Sequence, residues 1–188
     1  MNKYRITNPN NNIVRDCKSR TTEIMKRFIV ILIMLIILQS CKNQEKINNN
    51  VIERIDKTDL SILRGISIYF RSKGDNYNTN IYFVSTFQIN CSPYIIECDP
   101  LAPQKSIINK DLVLESCGQD YLDDQTIIKA LAKYIELNVV LIYIDEDGNV
   151  YINPSEQERP TLLKKVKNST PRDFNQFKHY KRDWYIRK

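Results

Sequence analysis

The stretch from Asp123 to Ile144 constrains the fold most. Ile127, Ile128, Leu131, Tyr134 and Ile135 recur at helical spacing, so residues 123–137 are expected to form one amphipathic helix. Asp123 or Asp124 supplies its cap, and Asn138 suits a left-handed stop. Val139 to Ile144 (VVLIYI) follows at once and is apolar throughout, the pattern of a strand buried on both sides. Asp145 to Asn149 (DEDGN) reads as a turn, and Val150 to Ile152 returns as the second arm of a hairpin. A helix that feeds straight into a hairpin needing cover implies an α+β domain.

The flanking chain fills in that class. Asp59 suits the cap of a short N-terminal helix through Leu60 and Leu63; one longer helix from Asp59 to Arg71 competes with it. Ile66, Ile68 and Phe70 alternate with Ser67, Tyr69 and Arg71, a strand pattern that Gly65 and the β-branched residues favour over the longer helix. Turn formers fill Ser72 to Asn80, and Ile81 to Ile89 reads as the second strand of a long-looped hairpin. Tyr94 to Glu97 is expected as a short edge strand among Pro93, Pro100 and Pro103. Another strand is expected within 107–116, around Leu112, Val113 and Leu114. Pro160 at a first helical position, with Leu162, Leu163 and Val166 on one side, predicts a short helix over 160–167. Trp184 and Ile186 share one face of a closing strand, which puts the only Trp in the core. The expected architecture is a small antiparallel sheet packed against one main helix at about 123–137.

Upstream, Lys26 and Arg27 precede an unbroken apolar run from Phe28 to Leu38, closed by Gln39, Ser40 and Cys41. Eleven residues reach about 17 Å as a helix, short of the roughly 30 Å of a bilayer core. The run has the proportions of a secretory signal, with a positive start and a small residue before the cut. Leu38-Gln39-Ser40-Cys41 resembles the lipobox of bacterial lipoprotein signal peptides. The resemblance covers Met25 to Cys41 and names a sorting class. It implies a diacylglycerol on Cys41, cleavage before it and palmitate-type acylation of the new amine. Two or three chains on one residue give stable anchoring, which one chain does not. The expected location is therefore the cell envelope, with the domain lipid-anchored to a bacterial membrane and facing the periplasm or the surface.

This divides the chain. Residues 1–24 are polar and without period, an extension ahead of a start at Met25 or a long disordered lead. Residues 25–40 form the signal, 41–50 (CKNQEKINNN) a lipidated polar tether, and 51–188 a single domain large enough to bury a core without staples.

The charge argument changes with that division. The chain carries 28 basic and 22 acidic residues, a net of +6. Seven of the basic and two of the acidic residues lie in the first 40, which leaves the remainder close to +1. A nucleic-acid partner is therefore not expected. The remaining charge is uneven: Pro154 to Lys188 has ten basic and four acidic residues, and the body before it is correspondingly acidic. With Cys41 lipidated, Cys91, Cys98 and Cys117 remain in the domain. They allow one intrachain pair, and spacing alone does not choose it.

Motifs for chemistry are sparse. Asp145, Asp147, Asn149, Tyr151 and Glu156 fall at EF-hand oxygen positions, but Val150 replaces the sharp-turn glycine and Pro154 intrudes, so a hairpin turn explains them better than calcium. His179 is the one histidine, and no nucleophile elbow, zinc-protease motif or glycine-rich phosphate loop is present. Two carboxylate pairs, Asp123 with Asp124 and Glu97 with Asp99, read as caps and solvated surface. No catalytic, cofactor or metal residue is assigned, and Cys41 is the one modification site. The expected activity is non-catalytic binding of a protein or envelope partner, one form of it protective or inhibitory. The alternatives are an envelope hydrolase working through carboxylates and a weak calcium binder.

Overall fold

The computed structural model describes residues 29, 45–86 and 90–188. The signal-like run apart from residue 29, and Cys41 itself, lie outside the described residues. The domain is the compact unit Ile47–Lys188.

Among the described residues, nine strands form one antiparallel sheet in the order β4-β3-β2-β1-β5-β6-β7-β9-β8. They are β1 (Ile66–Lys73), β2 (Asn80–Thr86), β3 (Tyr94–Cys98), β4 (Ile107–Asn109), β5 (Leu141–Ile144), β6 (Val150–Asn153), β7 (Leu162–Lys164), β8 (Phe177–Lys181) and β9 (Trp184–Arg187). Among the described residues of this unit and the two directly before it, three α-helical segments accompany them: α1, described over residues 45–56, α2 (Asp111–Cys117) and α3 (Asp124–Leu137). This corrects the expectation of a small sheet on one main helix, because the sheet is the dominant element.

The core lies between one face of the sheet and the helices. The strand registers align Tyr94, Val84, Ile68, Ile142, Ile152, Leu162 and Ile186 in a row across seven strands. Packed with that row are Val51, Ile52 and Ile55 of α1, Val113 of α2, and Ile127, Ala130, Leu131, Tyr134 and Leu137 of α3. At about 25 cal/mol per Å² this continuous apolar layer is the main source of stability. The opposite face carries a smaller cluster of Tyr151, Leu163 and Phe177, with Tyr143, Phe174 and Tyr185 against it. Tyr143 and Tyr151 stack there at 4.1 Å between ring centroids.

Helix α3 begins where its pattern places it. The Asp123 side chain accepts the Thr126 amide at 2.9 Å, and Asn138 adopts a left-handed φ of 46° at the C-cap. The Tyr134 hydroxyl donates to the Val140 carbonyl at 2.9 Å and accepts the Phe70 amide at 3.0 Å. One side chain thus ties the helix to the start of β5 and to β1. Burial raises the Tyr134 phenol well above the ordinary tyrosine range, so it stays a neutral donor.

Four further expectations change. The segment 160–167 is strand, not helix. Leu162 and Leu163 are both fully buried, one against each face, and β7 is paired on both sides by β6 and β9. Tertiary pairing overrides the local helical spacing. The strand expected within 107–116 is three residues of β4 followed by α2, whose one buried residue is Val113. With β4 outside it, β3 is not an edge. Residues 45–50, expected as polar tether, are helical, and Asn48 is 4% exposed. Asn49 accepts the Tyr180 hydroxyl at 3.3 Å, which fastens α1 to β8.

Cys91 and Cys117 form the disulfide, and Cys98 is free and buried. Cys98 ends β3 on the core face with Tyr94 and Ile96, at the far end of that strand from Cys91. Strand geometry therefore separates the two cysteines that are closest in sequence.

Candidate functional site: a charged cleft at one end of the sheet

A cleft of about 580 Å³ opens where β1 begins, β5 and β7 end, and β6 starts. Two backbone devices shape it. Gly65, at φ +74°, donates its amide to the Ile144 carbonyl at 2.8 Å, and an added Cβ there would stand 2.8 Å from the Glu146 carboxylate. Gly148, at φ +88°, closes the β5–β6 turn and donates to the Asp145 carbonyl at 3.0 Å. The cleft lies between this turn and the end of α1.

Asp56, at the end of α1, is the central charge. Its Oδ1 is 2.7 Å from Lys164 Nζ and accepts the Trp184 indole N–H at 3.1 Å; its Oδ2 is 3.4 Å from Arg182. Trp184 is fully buried, and the Lys164 ammonium sits 5.9 Å from its ring centroid. Burial alone would raise the Asp56 pKa. The hydrogen bonds from Lys164 and Trp184, with the charges of Lys164 and Arg182, outweigh it and hold the carboxyl below the ordinary aspartate range. Asp56 is thus a fixed anion that clasps α1 to β7 and to the β8–β9 hairpin, and it is not tuned to exchange a proton near neutrality.

Around this clasp the lining is mixed. Ile55, Ile144 and Val150 form a buried apolar floor. Arg64, Lys165, Lys167, Asp147 and Asp183 add charge. Arg64 donates through Nε to the Glu146 carbonyl at 2.8 Å, and its second nitrogen donates to the same oxygen. Lys165 reaches the Val166 carbonyl at 3.3 Å and lies 5.7 Å from the Phe174 ring centroid.

A second recess lies at the other end of β1, about 780 Å³, between the β1–β2 hairpin tip and the loop after β3. Tyr77 and Leu101 line it together, 98% and 94% exposed.

The residues singled out in the sequence fall mostly into structural roles. The Asp145 carboxylate accepts the Asn149 amide at 2.8 Å and its side-chain NH₂ at 2.9 Å. Asn149, fully buried, accepts the Val166 amide at 2.8 Å and the Ser169 hydroxyl at 2.6 Å. Of the calcium-like positions, Asp145 is thus engaged with Asn149, and Asn149 pins the 166–169 segment. The Glu156 amide donates to Asn153 Oδ1 at 3.0 Å, and its side chain is exposed. Among the described residues no three His, Cys, Asp or Glu side chains are grouped to hold a metal ion. Asp123 caps α3, and Asp124 meets Lys110 at 2.5 Å. Glu97 accepts the Thr79 hydroxyl at 2.6 Å, while Asp99 accepts the Leu101 amide at 2.9 Å. His179 is exposed on β8, with Nε2 2.8 Å from the Arg182 carbonyl. Among the described residues no helix is long and apolar enough to cross a membrane.

Sequence reasoning missed the Asp56 clasp and the Tyr77–Leu101 recess. Each joins residues distant in the chain and carries no local motif. No protein-family model matches this chain, and neither does any curated protein or solved structure.

Proposed function

We propose that the chain is a lipid-anchored, extracytoplasmic binding protein whose partner is a protein or an envelope component. The observation that carries the binding reading is the exposure of both Tyr77 and Leu101, almost complete, around one recess. An aromatic and an aliphatic side chain exposed on loop tips around one recess offer apolar surface to a partner. The ion-paired state of Asp56 supports the same reading, since the least exposed carboxylate of its cleft is committed to structure. The Cys91–Cys117 disulfide supports the compartment, because such bonds persist in oxidising environments. A protective or inhibitory role towards an incoming protein is one form of this reading.

Two experiments test it. Cys41→Ala is expected to abolish metabolic lipid labelling and to leave the precursor uncut; normal maturation of that variant removes the anchor. Separately, the processed protein is captured from cross-linked membranes beside a Tyr77→Ser/Leu101→Ser variant. A partner recovered with the parent and lost with the variant is the expected result. An empty capture, together with turnover of an envelope polymer by the purified protein, overturns the binding reading in favour of a hydrolase.

A further inference from the structure

We infer that the Asp56 cleft is a second recognition site, one that takes an acidic segment of a protein partner carrying apolar side chains between its carboxylates. The inference rests on the binding reading above and gives the partner a chemistry.

Charge comes first. Asp56 is matched by Lys164 and more than matched by Arg182. Arg64, Lys165 and Lys167 then face Asp147 and Asp183, which leaves the cleft positive. Three of the four lining cations, Lys164, Lys165 and Lys167, come from the basic C-terminal segment. Lys165 and Lys167 are the available ones. Lys165 has a long bond to its neighbour's carbonyl, and Lys167 is exposed. Rim cations of this sort steer and orient an anionic partner.

Shape selects the class of anion. The floor is Ile55, Ile144 and Val150, and Val166 is 40% exposed between the two lysines. A site for a bare phosphate gathers backbone N–H groups or buried donors around one point, and this floor is aliphatic. A membrane surface presses a plane of headgroups against protruding cations, whereas these line a recess. An extended segment with alternating acidic and apolar side chains satisfies both the rim and the floor.

Trp184 supplies the readout. It is the only Trp, it is bonded to Asp56, and Lys164 lies over its ring, so its emission reports on the cleft. The full-length chain in non-ionic detergent is titrated with an eight-residue peptide of four Glu and four Leu. The same peptide with Gln for Glu, inorganic phosphate, and vesicles containing anionic phospholipid are titrated in parallel. A saturable change with the Glu peptide is expected, weakening as salt is raised from about 50 to 200 mM. Lys165→Ala/Lys167→Ala, both surface changes, should weaken binding by about tenfold or more. Lys178→Ala, exposed on β8 away from the cleft, should leave it unchanged. Equal binding of the Gln peptide overturns the inference, as does phosphate binding as tightly as the Glu peptide. A response to vesicles with none to the peptide overturns it in favour of lipid. The Tyr77–Leu101 recess lies at the other end of β1. A partner captured there while the peptide fails therefore sinks the cleft and spares the binding reading; an empty capture with turnover sinks the binding reading itself.

Discussion

Trp184→Ala is expected to cost the domain about 3–5 kcal/mol, the range for removing a buried large aromatic side chain. The indole is fully buried in the main core and is one of three groups that bind Asp56. The change leaves a cavity beside Lys164 and removes a donor from a half-buried carboxylate. Trp184→Phe weights the effects differently: it keeps much of the ring packing and deletes the N–H, whose loss alone costs about 1–2 kcal/mol. The acid limb discriminates further. The folded pKa of Asp56 is depressed, so its contribution is full above the unfolded aspartate value of about 3.9 and is lost as pH falls through the lower folded value. With the indole donor gone, the folded value moves back towards the ordinary range. The Phe variant should then lose the Asp56 contribution at higher pH than the parent. Urea denaturation followed by circular dichroism between about pH 2 and pH 7 measures both. If the Ala variant falls within about 1 kcal/mol of the parent, Trp184 does not hold the C-terminal hairpin to the core.

That clasp shows where sequence reading stops. Helix α3 and the β5–β6 hairpin were legible because fourteen residues of 3.6-fold period run straight into an apolar strand and a D-G turn. The β1–β2 hairpin was legible from its alternation. Strand β7 was not, because Leu162, Leu163 and Val166 satisfy a helical stripe equally well and the decision rests with β6 and β9 on either side. The break between β8 and β9 was hidden too. The residue that turns the chain is Arg182, at φ 54°, and arginine carries no turn signal of the kind glycine or asparagine would give. Asp56 and Trp184 are 128 residues apart, so no window contains both. Of the candidate cleft, the sequence showed only an excess of base near the C-terminus. It did not show which lysines line a recess and which pair with structure. The acidic turn at Asp145–Asn149 was visible as a motif, and its use as a pin for the 166–169 segment was not.

Breaking the Cys91–Cys117 bond, by Cys91→Ser or by reduction, is expected to lower stability by about 3.5 kcal/mol. That figure follows from the loop-closure entropy for a separation of 26 residues. For a domain of this size it corresponds to a fall in melting temperature of about 10 °C. The effect should begin locally. The bond joins the segment ahead of β3 to the last residue of α2, a seven-residue helix with Val113 as its one buried residue. A helix that short is not stable by itself. Among the described residues its other attachments are few: Ser116 Oγ accepts the Ser92 amide at 3.0 Å, and Lys110 bridges Asp120 and Asp124 at the surface. Hydrogen exchange over 107–117 should therefore accelerate before the rest of the sheet opens. Cys98 gives an internal control. It is buried in the main core, and burial raises its thiol pKa, so it should resist alkylation until global unfolding. Reduction that opens 107–117 while Cys98 stays protected would locate the disulfide's work in the β4–α2 edge. A melting temperature unchanged by reduction would show that this edge holds without it.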